Sequence, residues 1–481
     1  MRVGQLSAID FVSKVTASLL GFVATIYFAR VLGASVLGTY YLVLSVVGWL
    51  SLLGTMGIGG GLIKRISEGD DGGAYLVAGA VFISGFFLTL TGLLLAGRET
   101  LDSYIGVPAF VFVVVLLAVG LAGSFVDSVL QGQRLVHVYS LLKPVRKAIR
   151  VGVQISAVIA GFGLTGLVAG YALGGIVAVL LGLLFVSTDV ERPQRDHFES
   201  LLEYAKYAWL GKLKSKTFNR ADILILGAFA VPSLVGVYSI AWNIAGFLSI
   251  FSSSISSALF PQVSNISAQT DVRGTRDIVQ NALAYAGLIT IPGLAGGAIL
   301  GKNLLALYGP EFVKGSLVLV LLIAATVIYD YQKVTVSVLG AIDRPDLAFY
   351  VNGTLIVSNL VLNLVLIYFY GWVGAAVGTL ASAVFSLLLG YYLLNTLIGV
   401  KFPVGNIVRQ TISAGVMVLA VVIVEWTLST SGVHTMRAVP TIGLVAFGAG
   451  IYGLTLLSIS PTFRRTVFEN LKPLLDRFDA S

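Results

Sequence analysis

The chain holds 481 residues, 57% of them hydrophobic and only 11% charged. A soluble domain of ordinary composition carries about 25% charge, so a water-soluble enzyme is excluded. Cysteine is absent, which removes disulfide frameworks, Cys-based zinc sites and thiol nucleophiles. The three histidines (His137, His197, His434) match no ligand spacing, so neither a metal nor a cofactor is expected. The net charge of +8 is not gathered on a soluble basic module, so nucleic acid is not an expected partner.

A spanning helix needs about 20 apolar residues. Apolar segments are predicted at 8–30, 36–60, 74–97, 107–131, 138–160, 164–187, 207–230, 234–260, 277–300, 315–341, 347–370, 373–398, 406–428 and 438–459. The first is interrupted by Asp10 and Lys14 and is no cleavable signal. The run "GTMGIGGG" at 54–61 suits helix packing or a helix end. "GFGLTG" at 161–166 fits a dinucleotide-binding pattern literally, but no strand precedes it, and a tight turn between two spans is expected. The connector 188–203, "TDVERPQRDHFESLLE", is the most polar and reads as the link between two halves.

The seventh segment has two readings. Its apolar run "ADILILGAFA" is half a span, so either the preceding Lys- and Arg-bearing stretch joins the helix or 203–220 lies on the membrane surface as an amphipathic helix. An internal repeat favours the first. A shift of 198 lays "VLGTYYLVLSVVGWLSLL" (36–53) over "LVGVYSIAWNIAGFLSIF" (234–251), matching Gly38 to Gly236, Tyr40 to Tyr238 and Lys14 to Lys212. A shift of 208 lays 161–172 over 369–380, matching Gly163, Gly166 and Gly170 to Gly371, Gly374 and Gly378.

The expected fold is therefore an all-α polytopic membrane protein of about 14 transmembrane helices. Two six-helix lobes in parallel pseudo-repeat (1–195 and 196–400) precede two additional helices (401–460) and a tail (461–481). With both termini in the cytoplasm, Lys and Arg are about three times as frequent in the inner connectors and tails as in the outer ones, as the positive-inside rule requires. The location expected is the cell membrane, and the state expected is a monomer.

Eleven basic residues remain at membrane depth. Each charge at a bilayer centre costs about 2.5–3.5 kcal/mol on insertion scales, so they must face water, a partner charge or a ligand. Lys143, Arg146, Lys147 and Arg150 stand at i, i+3, i+4 and i+7 on one helix face, and Lys212, Lys216 and Arg220 at i, i+4 and i+8 on another. Lys143 and Lys206 read as anchors at the headgroups. Lys14, Arg146, Lys147, Arg150, Lys212, Lys216, Arg220 and Lys333 form the predicted cationic cavity. Asp222 with Arg220, Asp330 with Lys333, and Asp10 with Lys14 are expected as neutralising pairs. Asp127 lacks a sequence-local partner and is either the ligand of a coupling proton or sodium ion or a helix-end carboxylate. Clustered cations suit phosphate or diphosphate, so an anionic substrate is expected, no catalytic residue is assigned, and the chain is not expected to be an enzyme.

The runs "LGAIDRPDLAFYVNGTLIVSNLVLNLVLIYFYGWVGAAVGTLAS" (339–382), "YFARVLGASVLGTYYLVLSVVGWLSLLGTMGI" (27–58) and "RADILILGAFAVPSLVGVYSIAWNIA" (220–245) resemble the polysaccharide and oligosaccharide flippases of the multidrug/oligosaccharidyl-lipid/polysaccharide exporter superfamily. The resemblance implies two lobes around a central cationic cavity, alternating access, and transfer of a polyisoprenoid-(di)phosphate-linked sugar, together with membrane lipids as partners, from the inner to the outer leaflet. Two competitors are weighed against it. A multidrug antiporter of the same superfamily would want an acidic cavity. A membrane glycosyltransferase would want an acidic catalytic motif in a sizeable outer loop.

Overall fold

A computed structural model describes residues 3–55, 57–69, 71–186, 190–268, 272–431, 435 and 437–465. For 3–19, 206–220, 258, 267, 268 and 272 it describes the backbone path alone. The chain is an all-helical, multi-pass membrane protein, and no β-strand occurs among the described residues. Helices are what a bilayer allows, because each satisfies its own backbone polar groups away from water.

In chain order the helices are α1 (Val3–Thr55), α2 (Ile58–Glu68), α3 (Gly72–Ala96), α4 (Arg98–Ile105), α5 (Phe110–Gly132), α6 (Val136–Ile159), α7 (Gly163–Leu183), α8 (Arg195–Phe229) and α9 (Pro232–Leu248). They continue with α10 (Ile250–Ala268), α11 (Val272–Ala286), α12 (Thr290–Ala306), α13 (Ser316–Ala341), α14 (Pro345–Ile398), α15 (Val404–Thr430) and α16 (Ala438–Ile459). By length and composition nine described stretches can cross a membrane, or ten if α9 and α10, bent by 46° at their junction, form one span. Two of the nine are double length. Helix α1 changes direction at Gly33 (φ 78°) and α14 at Gly371 (φ 57°, ψ −139°), conformations open to glycine and closed to most other residues. Helices α6 and α8 fall outside the nine; α6 carries four cations within eight residues.

The seventh segment is part of one unbroken helix. Helix α8 runs 35 residues from Arg195 to Phe229, a rise of about 52 Å, so 203–220 is not a separate surface helix. "GTMGIGGG" is a helix end: α1 stops at Thr55 and α2 starts after Gly57, which is left-handed. "GFGLTG" is the turn between α6 and α7, with Gly161 (φ 84°) and Gly163 (φ 49°) left-handed. Gly287, Leu288 and Ile289, just ahead of Pro292, separate α11 from α12.

The repeat has a local structural counterpart. Gly163 and its equivalent Gly371 both take positive φ. Arg134 (φ 61°) and Asp343 (φ 57°) are left-handed ends of α5 and α13, and each is followed by the same six-residue closing bond, Leu135 N–H to Leu130 O and Arg344 N–H to Leu339 O, both 3.0 Å or shorter. Gly38 and Gly236, equivalent under the shift of 198, meet each other. A Cβ on Gly38 would collide with the Pro232 carbonyl, and one on Gly236 with the carbonyl of Ala34, the equivalent of Pro232.

By backbone contacts the chain forms two compact units, residues 1–239 with 363–375, and 240–362 with 376–481. The first is held by Ile58, Leu62, Ile66, Ala78, Val129 and Leu201 of α2, α3, α5 and α8, and by Ile83, Leu117 and Leu121 between α3 and α5. The second has one core along α10, α11, α13 and α14, with Val263, Leu283, Val334 and Val338 fully buried. Another core joins α12, α15 and α16 through Leu300, Met417, Leu444 and Leu456. Lipid tails are as apolar as leucine, so close packing between helices, rather than escape from water, holds such cores together.

Candidate functional site

The cations of α6 are positioned by the glycine row of α7. Gly166, Gly170 and Gly174 recur every four residues, so they share one face, and that face lies directly on α6. A Cβ at Gly174 would sit 2.7 Å from the Arg146 carbonyl oxygen and 2.9 Å from the Cβ and N of Arg150; one at Gly170 would sit 2.8 Å from the Gln154 nitrogen. With no side chain between the two backbones, the guanidinium of Arg150 lies over the Tyr171 ring, 5.0 Å from its centroid.

Above this the stripe is closed by a polar clasp. The amide of Gln154, 2% exposed, donates to the Tyr40 hydroxyl (3.0 Å) and to the Leu167 carbonyl (2.7 Å), tying α1, α6 and α7 together. At the other end the Lys143 ammonium stands 4.1 Å from the centroid of the Tyr139 ring. Pro144 interrupts α6 between these cations and removes the backbone bond that would otherwise reach the Ser140 carbonyl.

The four cations differ in how far their donors are used. Arg146 Nη2 donates to Asp127 Oδ1 at 3.1 Å, and both side chains are partly exposed. Asp127, which lacked a partner in the local sequence, finds it on the next helix. Lys147 and Arg150 have no hydrogen-bond acceptor and no carboxylate partner among the described residues, and the Nε of Arg150 is buried without an acceptor. The Lys147 ammonium lies against α1, where a Cβ on Gly21 would be 3.2 Å from Nζ. Gly21 is two turns along α1 from Lys14. The side chains of Lys14, Lys212, Lys216 and Arg220 lie outside the described residues; their backbone is helical, in α1 and α8.

Asp222, expected to pair with Arg220, is buried and accepts a hydrogen bond from the Tyr238 hydroxyl. Tyr238 is the repeat equivalent of Tyr40, and each tyrosine hydroxyl meets a polar side chain of another helix.

In the second unit Lys333 Nζ contacts Asp330 Oδ1 at 3.2 Å, Ser249 Oγ at 2.7 Å and Ser253 Oγ at 3.1 Å. A lysine ammonium has three donors, and all three are taken. The same unit forms an open apolar cavity of about 400 Å³ lined by Leu248, Pro292, Gly296, Met417, Gly448 and Tyr452, among others. Hydropathy alone gave no sign of this space, because its lining is as apolar as the lipid-facing surface.

Comparison with known proteins adds three findings. The family model described as "Polysaccharide biosynthesis protein" matches residues 4–267. Over 479 residues, 98% of this chain and 99% of the relative, the sequence is 29% identical to a protein of Haloferax volcanii named "Probable flippase AglR". It is 28% identical over 463 residues, 96% of this chain and 97% of the relative, to another from the same organism named "Probable low-salt glycan biosynthesis flippase". Among solved structures the fold is similar to that of the lipid II flippase MurJ in an inward closed conformation (TM-score 0.79, 14% identity, 96% of this chain and 99% of that one). It is also similar to a multidrug resistance MATE family transporter of the MOP superfamily in an inward-facing conformation (TM-score 0.65, 16% identity, 79% and 95%).

Proposed function

This chain belongs to the polysaccharide biosynthesis protein family, and from that premise we propose that it is a flippase for a lipid-linked glycan. The cargo would be a polyisoprenoid-phosphate- or diphosphate-linked sugar, moved from the inner to the outer leaflet of the cell membrane for surface glycan or glycoprotein synthesis. The relatives' names support flipping and glycan synthesis. The single observation that carries the anionic cargo is Arg150, a half-buried guanidinium whose donors meet no acceptor among the described residues, beside Lys147, which has no carboxylate partner among them either. A protein that spans lipid would not retain such charges without a ligand or water to meet them. The fold is shared with multidrug transporters, so the charge of the site decides between the two classes, and a cationic site favours a phosphate.

In this reading Arg146, Lys147 and Arg150 of α6 bind the phosphate together with Lys14, Lys212, Lys216 and Arg220 of α1 and α8. Lys333 is left out of the set, because its donors are already taken. Asp127 occupies Arg146 until a proton or sodium ion neutralises the carboxylate, or the cargo displaces it. The apolar cavity of the second unit suits part of an isoprenoid tail. Counting α9 with α10 as one span, counting both arms of α1 and of α14, and adding α6 and α8 gives fourteen spans, with both termini cytoplasmic. The lobes 1–195 and 196–400 would rock to give alternating access, with 401–460 accessory, and the protein would work as a monomer.

The test is substrate capture. The purified protein is extracted and its co-purifying lipids are identified by mass spectrometry, with an Arg150→Ala, Arg220→Ala double variant alongside. A phosphorylated polyprenyl sugar present in the wild type and lost in the variant is the expected result. Cationic compounds bound equally by both proteins would overturn the reading in favour of an antiporter.

A further inference from the structure

Around Lys333 the second unit has built a coordination shell. The carboxylate of Asp330 is completely buried, with no side-chain exposure. Its Oδ1, with Ser249 Oγ and Ser253 Oγ, surrounds Nζ at 2.7–3.2 Å. The hydroxyl protons point away from the ammonium: Ser249 donates to Asp330 and Ser253 to the Ser249 carbonyl. Both hydroxyl oxygens therefore turn lone pairs toward the lysine. The Tyr329 ring, 4.9 Å from Nζ to its centroid, adds a π face. Hydroxyls that donate elsewhere, a buried carboxylate and an aromatic face are what a bare monovalent cation would find. The distances exceed the ~2.3–2.6 Å that calcium demands and fit an ammonium or potassium. Ser253 is exposed, so the shell opens to the outside on one side.

We propose that this cluster is a monovalent-cation site kept permanently filled by the ammonium of Lys333. The lysine is a tethered ion: it neutralises Asp330 without any exchange with solvent, so the second unit loads and releases no cation here. The inference is independent of what the protein carries. It rests on Lys333, Asp330, Ser249 and Ser253, none of which is placed in the substrate site.

The test is to remove the tethered ion and offer a free one. Lys333→Ala empties the shell; Lys333→Met removes the charge but keeps the space filled. Each variant and the wild type are purified in detergent in potassium chloride, exchanged into potassium, sodium or choline chloride at equal concentration, and melted. The expected result is that Lys333→Ala melts about 5 °C higher in saturating potassium than in choline, and that the gain grows with the logarithm of potassium concentration. The wild type and Lys333→Met should melt alike in all three salts, and adding Asp330→Asn to Lys333→Ala should abolish the response. Equal melting of Lys333→Ala in the three salts would overturn the proposal, as would a response of the same size in Lys333→Met or in the Asp330→Asn, Lys333→Ala double variant. Aggregation of Lys333→Ala in potassium while Lys333→Met folds would overturn it too, because a free cation would then have failed to replace the ammonium.

Discussion

Arg146 and Arg150 lie one turn apart on the same face of α6, yet their loss should have opposite consequences. Arg150→Ala removes a guanidinium that makes no hydrogen bond to the described protein. What the fold loses is a cation–π contact with Tyr171, worth about 0.5–1 kcal/mol, partly offset by relief of repulsion from Lys147. A phosphate bound there would lose a charge-assisted bond of about 1.5–3 kcal/mol, a 10- to 150-fold loss of affinity at roughly 1.4 kcal/mol per decade. Arg146→Ala instead strands Asp127, whose partner sits at 3.1 Å. With the two side chains 33% and 20% exposed, the cost falls between that of a surface pair and that of a fully buried one, about 1–2 kcal/mol. Binding of a short-chain polyprenyl phosphate in detergent, read beside the melting temperature, separates the two. Arg150→Ala should lose at least tenfold in binding and melt within about 2 °C of the wild type. Arg146→Ala should melt several degrees lower, and adding Asp127→Asn should recover most of that loss. Binding by Arg150→Ala within threefold of the wild type, or a melting loss as large as that of Arg146→Ala, would refute the reasoning.

Other substitutions probe what holds this face in place. Gly174→Ala puts a methyl group 2.7 Å from the Arg146 carbonyl; it should cost about 1–3 kcal/mol by overpacking and weaken phosphate binding by displacing α6, measured by melting and by the same binding assay. Gln154→Leu leaves the Leu167 carbonyl without its side-chain donor and should cost about 1–3 kcal/mol, whereas Tyr40→Phe, which leaves Gln154 its bond to Leu167, should cost less; thermal melting of both variants checks the order. Gly38→Ala and Gly236→Ala should each destabilise by about 1–3 kcal/mol, but the double variant should cost clearly less than the sum, since one separation of the helices accommodates both methyl groups. Additive losses in a melting cycle would count against the shared crossing.

Much of the architecture was legible in the sequence because it depends on local periodicity. The all-helical fold, the helix end at 54–61 and the turn at 161–166 follow from apolar run length and glycine placement. Helix α8 is the harder case: its apolar half is too short, and only the repeat equivalence of Lys212 with Lys14 indicated that the basic half continues the same helix. The partners of the buried charges were not legible. Asp127 and Arg146 are 19 residues apart across a turn, and Lys333 meets serines 80 and 84 residues upstream. Such pairs depend on which faces of two helices meet, and no single-helix pattern records that. The row Gly166, Gly170, Gly174 was visible as small residues at helical spacing, but its role emerges only when its opposite face proves to be the one bearing Arg146, Arg150 and Gln154.

The meeting of Gly38 with Gly236 has a consequence beyond packing. Residue 38 abuts 232 while 236 abuts 34, and both pairs map onto each other under one shift of 198. This is the self-complementary pattern of an isologous contact, in which one patch meets a second copy of itself. Because the two glycines are separate positions of one chain, they cannot change together in one mutational step, so each is guarded by the other: a bulkier residue at either position is blocked by the backbone of the opposite segment.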